Sequence, residues 1–148
     1  MRGQKGFSLI ELLIVVAIIG IIAAIAIPNL LNAIDRGKQK RTMADIRSLG
    51  TAVESYAVDN NFYPKVNSYA NVVPHVQPIY IKTAPTSDGW NKLWEFQGDT
   101  TNGVDYTLIS RAKDGIASAI TGGQTGDFNC DIVFANGQFF QWPQGTQT

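Results

Sequence analysis

From Phe7 to Leu31 the chain reads FSLIELLIVVAIIGIIAAIAIPNLL, 25 positions of which only Ser8, Glu11 and Asn29 are clearly polar. Read as a helix, this run extends ~37 Å at ~1.5 Å per residue, enough to cross a hydrocarbon core of ~30 Å. The pattern then narrows from apolar on every side to apolar along one stripe. Ile46, Leu49, Val53 and Tyr56 recur at spacings of three and four, which predicts an amphipathic continuation of the same helix with one face to cover. Asp59-Asn60-Asn61 and then Pro64 end the pattern, giving a single helix of roughly 50 residues.

Beyond Pro64 the chain turns to Pro, Asn, Ser, Gly and aromatics. Val66 to Asp88 reads as a loop-rich connection, with a short helix or strand near Tyr69 to Val73 and Ile79 to Ile81. Strands are expected at Leu93-Trp94-Glu95-Phe96 and Tyr106-Thr107-Leu108-Ile109-Ser110, set apart by Gly and Asp. Cys130 to Ala135, Asn136-Gly137, and Gln138 to Trp142 read as two strands joined by a type I′ hairpin turn. A small antiparallel sheet packed on the amphipathic half of the long helix would bury both apolar faces, which makes the fold class α+β.

Length and composition sharpen this picture. The 148 residues leave room for one membrane segment and one small folded domain. Twelve basic side chains balance twelve acidic ones, so no global basic field points to nucleic acid. Cys130 is the single cysteine and His75 the single histidine, which excludes an internal disulfide, a cysteine cluster and a two-histidine metal site. His75, between Pro74 and Pro78, reads as a surface loop residue. No Ser/His/Asp set and no phosphate-cradling glycine loop supports catalysis.

Ahead of the apolar run stands MRGQKG, whose Arg2 and Lys5 hold that end in the cytoplasm and send the remainder across. A cleaved signal peptide, with Ala24-Ile25-Ala26 as the cut, conflicts with the length of the run and with its carboxylate. A plain membrane anchor explains the length but not Glu11, which in hydrocarbon costs on the order of 2.5 to 3.5 kcal/mol and normally answers to a partner. A third reading takes Glu11 together with the residues just ahead of it. Past the apolar run, Asp35-Arg36-Gly37-Lys38-Gln39-Lys40-Arg41 gathers four positive charges. This cluster either touches anionic headgroups or pairs with acids on neighbouring copies.

The stretch Gly6-Phe7-Ser8-Leu9-Ile10-Glu11, followed by an unbroken apolar run, closely resembles the leader junction of type IV prepilins and type II secretion pseudopilins. The resemblance implies cleavage after Gly6 by a membrane aspartyl prepilin peptidase and N-methylation of Phe7. It also implies a filament in which Glu11 neutralises the terminal amine of a neighbouring subunit, so that two charges costly in hydrocarbon become tolerable as a pair. Gly20 and Pro28 fall where the family has them and imply a stretch that melts or kinks as the subunit leaves the bilayer.

Further pieces are similar to the major pseudopilin of type II secretion more than to disulfide-bearing pilins. These are Asp59-Asn60-Asn61-Phe62-Tyr63-Pro64, Asp88-Gly89-Trp90-Asn91-Lys92-Leu93-Trp94, and Asp105-Tyr106-Thr107-Leu108-Ile109-Ser110 with Asp114-Gly115, Gly126-Asp127 and Asp131-Ile132. In that family the C-terminal loop binds calcium, and the ligands implied here are Asp114, Asp127 and Asp131, although this chain lacks the family's denser acidic run. The implied division is a leader over 1–6, a transmembrane and filament-core helix over 7–31, and an amphipathic half plus periplasmic domain over 32–148. The implied function is a structural subunit of a secretion pseudopilus, with a surface type IV pilin or a membrane-anchored binding domain as alternatives. Its partners would be its own copies, the prepilin peptidase, an inner-membrane assembly platform, minor pseudopilins and, before assembly, membrane lipid.

Overall fold

The computed structural model describes residues 6–144, in two compact units that divide after Ile34. Helix α1 runs from Leu9 to Asn60 and so contributes to both. It stops where the Asp-Asn-Asn signal predicts. Asn61 takes a left-handed conformation (φ 63°) and its N–H donates to the Ala57 carbonyl at 2.8 Å, a closure that asparagine tolerates better than most residues.

In the first unit every large apolar side chain from Phe7 to Ile34 is exposed, and its apolar window is long enough to cross a membrane with none of it buried in the chain. The helix continues unbroken through Pro28, and the next residue, Asn29, donates its side-chain amide to the Ile25 carbonyl at 3.1 Å.

The second unit begins at Asp35. Helix α2 spans Tyr69–Val76, with the Ser68 hydroxyl accepting from the Asn71 N–H as its N-terminal cap; the expected short element is thus a helix. His75 lies in its last turn, while Ile79 to Ile81 form no strand. The strands are β1 (Glu95–Gly98), β2 (Tyr106–Ser110), β3 (Gly123–Thr125), β4 (Ile132–Ala135) and β5 (Gln138–Pro143), ordered β1-β2-β4-β5-β3 in one sheet. Four strands pair antiparallel, but β3 pairs parallel with β5. The sheet is therefore mixed, a correction to the expected antiparallel one. β3 is three residues long, opens on a glycine and lacks apolar alternation, so its identity comes from the free edge of β5.

The predicted stripe forms the core. Ile46, Leu49 and Val53 are fully buried together with Phe96, Tyr106, Leu108, Ile132 and Phe134 of the sheet. Gly50 makes this fit possible, since a Cβ there would stand 2.2 Å from the Phe134 ring. The β4–β5 hairpin turns through Asn136 (φ 47°) and Gly137 (φ 85°), both positive as a type I′ turn requires.

Candidate processing and assembly site

Gly6, Phe7 and Ser8 precede α1 and adopt no regular structure, and Phe7 is 83% exposed. A junction outside the helix is what a peptidase needs, because a bond inside a helix cannot enter an active-site cleft as a strand. An added Cβ at Gly6 would meet nothing within 4 Å. Nothing among the described residues thus demands glycine there. Arg2 and Lys5 lie outside the described residues.

Glu11 is placed by the start of the helix. Its carboxylate accepts the Ser8 N–H at 2.8 Å, one half of the reciprocal bonding in a Ser-x-x-Glu capping box. A carboxylate in the first helical turn also faces the positive end of the helix dipole. Glu11 therefore has a partner within the subunit as well as any it takes from a neighbour. The Ser8-x-x-Glu11 spacing is the sequence signal for this bond. Gly20, like Gly6, has open space around it, so no packing among the described residues explains it.

The Asp88-Gly89-Trp90 motif fixes the first turns of α1 in the second unit. Asp88 is fully buried and accepts from the N–H groups of Trp90 and Lys92 and from the Ser110 hydroxyl. This ties the loop to itself and to β2. Gly89 lies against the helix backbone, where a Cβ would stand 2.2 Å from the Lys38 carbonyl oxygen, and its N–H donates to Thr42 Oγ1 at 2.9 Å. The Trp90 indole N–H donates to Asp35 at 3.3 Å, and the Lys113 ammonium pairs with Asp35 at 2.9 Å. Burial pushes the Asp35 carboxyl up, but Lys113 and Trp90 outweigh it and hold its pKa below the ordinary range. Higher on the helix, Glu54 accepts the hydroxyls of Tyr106 and Tyr63. Burial, and then this carboxylate, push the Tyr106 pKa up, which keeps it a proton donor.

The three aspartates expected to hold calcium are placed differently from one another. Asp114 accepts the Ile116 N–H and Asp127 the Asn129 N–H, each within its own turn. Asp131 is fully buried and faces Arg111, whose guanidinium bonds it at 2.7 Å and also grips Glu95. Glu95 and then Asp131 hold the Arg111 pKa above its ordinary value, against the opposing effect of burial. Asp131 also accepts the Ser118 N–H, while its Oδ1 is buried without a partner. Among the described residues no group of three or more acidic, cysteine or histidine side chains is arranged to hold a metal ion. A single bare oxygen supplies one of the six to eight ligands calcium takes. As placed, the three carboxylates do not fit a common shell, and a cationic side chain stands beside the buried one.

An exposed apolar helix with an open Gly-Phe junction ahead of it, continuing into an α+β unit, defines a pilin-type subunit. The profile described as a prokaryotic N-terminal methylation motif matches residues 1–27, and that of the type II secretion system protein G matches residues 29–128. The chain belongs to this protein G family, a family of structural subunits rather than enzymes. It is 40% identical over 146 residues to the type II secretion system core protein G of Aeromonas hydrophila, covering 91% of this chain and 93% of that one. With the core protein G of Vibrio cholerae it shares 32% over 141 residues, 87% and 94% of the two chains. It is also 55% identical over 113 residues to the type IV major fimbrial protein FimA of Dichelobacter nodosus, 76% of this chain and 60% of that one. No solved structure gives a significant match.

Proposed function

We propose that the chain is made as a prepilin, cut between Gly6 and Phe7 and N-methylated on Phe7, and polymerises as the major subunit of a secretion pseudopilus that drives protein export. Before assembly it sits in the bacterial inner membrane through residues 7–31, with a cytoplasmic N-terminus and residues 32–148 in the periplasm. Copies of itself then replace lipid around the helix, delivered by an inner-membrane assembly platform with minor pseudopilins. The observation that carries this reading is the apolar surface from Phe7 to Ile34, exposed throughout, with one carboxylate near its start. Such a surface must be covered by lipid or by other helices, and Glu11 suits the second cover because it can meet a neighbour's terminal amine.

Mass spectrometry of the mature protein tests the first step. A start at methylated Phe7 is expected; an intact Met1 or a start at Ile27 would refute processing at Gly6. Replacing Glu11 with Ala should leave membrane insertion intact and abolish filaments seen by electron microscopy, and normal filaments from this variant would remove its pairing role. The likeness to FimA over 113 residues supports a second reading, a surface pilus. Deleting the gene separates the two, since loss of cargo export marks the pseudopilus and loss of surface fibres with intact export marks the pilus.

A further inference from the structure

The apolar run ends at Ile34, and the four cations that follow it are local in sequence. The fold enlarges this cluster. Lys113 arrives from 78 positions away to pair with Asp35, and Trp90 lies on the same carboxylate. Gly89 seats the 88–92 loop against the helix at Lys38, and Lys92 reaches Gly115, where a Cβ would stand 2.8 Å from its Nζ. Arg36, Lys38, Lys40, Arg41, Lys92 and Lys113 thus form a collar around the first two turns after the apolar run.

The carboxylates of this region are already engaged. Asp35 is held by Lys113 and Trp90, Asp45 pairs with Arg41, Asp88 is bonded inside its loop, and Asp114 caps Ile116. Among the described residues, Arg36, Lys38, Lys40 and Lys92 have no carboxylate within ion-pair distance. Beside these cations stand two exposed apolar side chains, Leu93 next to Lys92 and Ile116 next to Gly115 (77% and 67% exposed). Cations alternating with exposed apolar groups and a half-buried indole make the chemistry of a surface that lies against phospholipid headgroups.

The geometry points to this collar as a docking surface for anionic phospholipid headgroups, built from the 88–92 and 111–116 loops as well as the helix. This rests on the membrane-span reading of residues 7–31, because the collar begins within about one helical turn of the end of that span. It selects which lipids surround the waiting subunit, and those lipids must be shed when the subunit enters a filament.

The test uses the full-length chain reconstituted into nanodiscs of phosphatidylcholine mixed with phosphatidylglycerol. Native mass spectrometry after release into mild detergent counts the lipids retained. The wild type should keep phosphatidylglycerol over phosphatidylcholine. The preference should fall by about fivefold at low salt for each charge removed in Arg36→Gln, Lys40→Gln and Lys92→Gln combined stepwise, and should weaken as salt rises. Lys65→Gln with Lys82→Gln, away from the collar, should leave it unchanged. If the triple variant melts lower than the wild type, the charge-preserving Arg36→Lys, Lys40→Arg pair must still retain phosphatidylglycerol.

Equal retention by wild type and triple variant overturns the proposal. So does a triple variant that keeps its lipid preference but loses filaments, with charge reversal on a neighbouring copy restoring them, because the collar would then serve subunit pairing. A chain that fails to enter nanodiscs at all refutes the membrane reading itself, whereas entry without lipid preference refutes only the collar.

Discussion

Two glycines of the first unit contrast sharply with two that the second unit packs into its interior. Gly6 and Gly20 have nothing within 4 Å of where a Cβ would be, whereas Gly50 and Gly89 would each put one 2.2 Å from a neighbour. In the second unit the neighbours lie in the same chain: Phe134 fills the space at Gly50 and the Lys38 carbonyl that at Gly89. Among the described residues of the first unit neither glycine has such a neighbour, and the large apolar side chains face outward as well. The core of the second unit thus satisfies itself, while the apolar residues of the first face outward. Damage to that core should register as lost stability, and damage to the first unit as lost processing or assembly with stability intact.

The largest stability effect should come from Arg111→Ala, which strands the buried Asp131 and frees Glu95. Breaking such a pair costs about 3–5 kcal/mol, read as a lower denaturation midpoint of the domain. Because Arg111 already faces Asp131, calcium or a chelator should leave the wild-type melting temperature unmoved, and a rise with calcium would show that the loop rearranges around the ion. Gly50→Ala comes next, at about 1–3 kcal/mol of overpacking against Phe134, measured by denaturant titration.

A smaller effect should appear on acidification. The Asp35 pKa is lowered by folding, so its contribution is fully present above the unfolded value of ~4 and is lost as pH falls through the folded value. Lys113 is half exposed, which keeps this contribution modest. Melting temperatures taken from neutral pH downward should show the acid-side decline shrink in Asp35→Asn. Gly20→Ala should do least, changing domain stability by within about 0.5 kcal/mol, and any larger loss would show that the first unit contributes to the stability of the second.

How much of this was legible in the sequence follows from how local each feature is. The 52-residue helix was readable because its hydrophobic pattern and its Asp-Asn-Asn stop lie along the chain. The β4–β5 hairpin was readable because Asn136-Gly137 encodes the turn. β3 was not, since a Gly-Gln-Thr segment becomes a strand only when β5 offers an edge. The calcium set was implied by resemblance, yet Asp114 and Asp127 each take the N–H two residues ahead, the habit of aspartates in turns. Only Asp131 goes to the core, drawn by an arginine 20 positions earlier. The Asp88-Gly89-Trp90 motif was visible by resemblance, but its contacts with Thr42 and Asp35 span 47 and 55 positions and no pattern announces them.

Gly89, finally, has a mechanical meaning. A filament that advances a load passes force along its helices, and each domain must take up that force where it grips its own helix. Here the grip begins at once, with Gly89 seated on the Lys38 backbone, its N–H on Thr42, and Lys113 on Asp35. A pull along α1 therefore loads these short polar contacts in shear before it reaches the hydrophobic core at Ile46 to Val53. The domain thus holds its own helix at the base, through these polar contacts, as well as through its core.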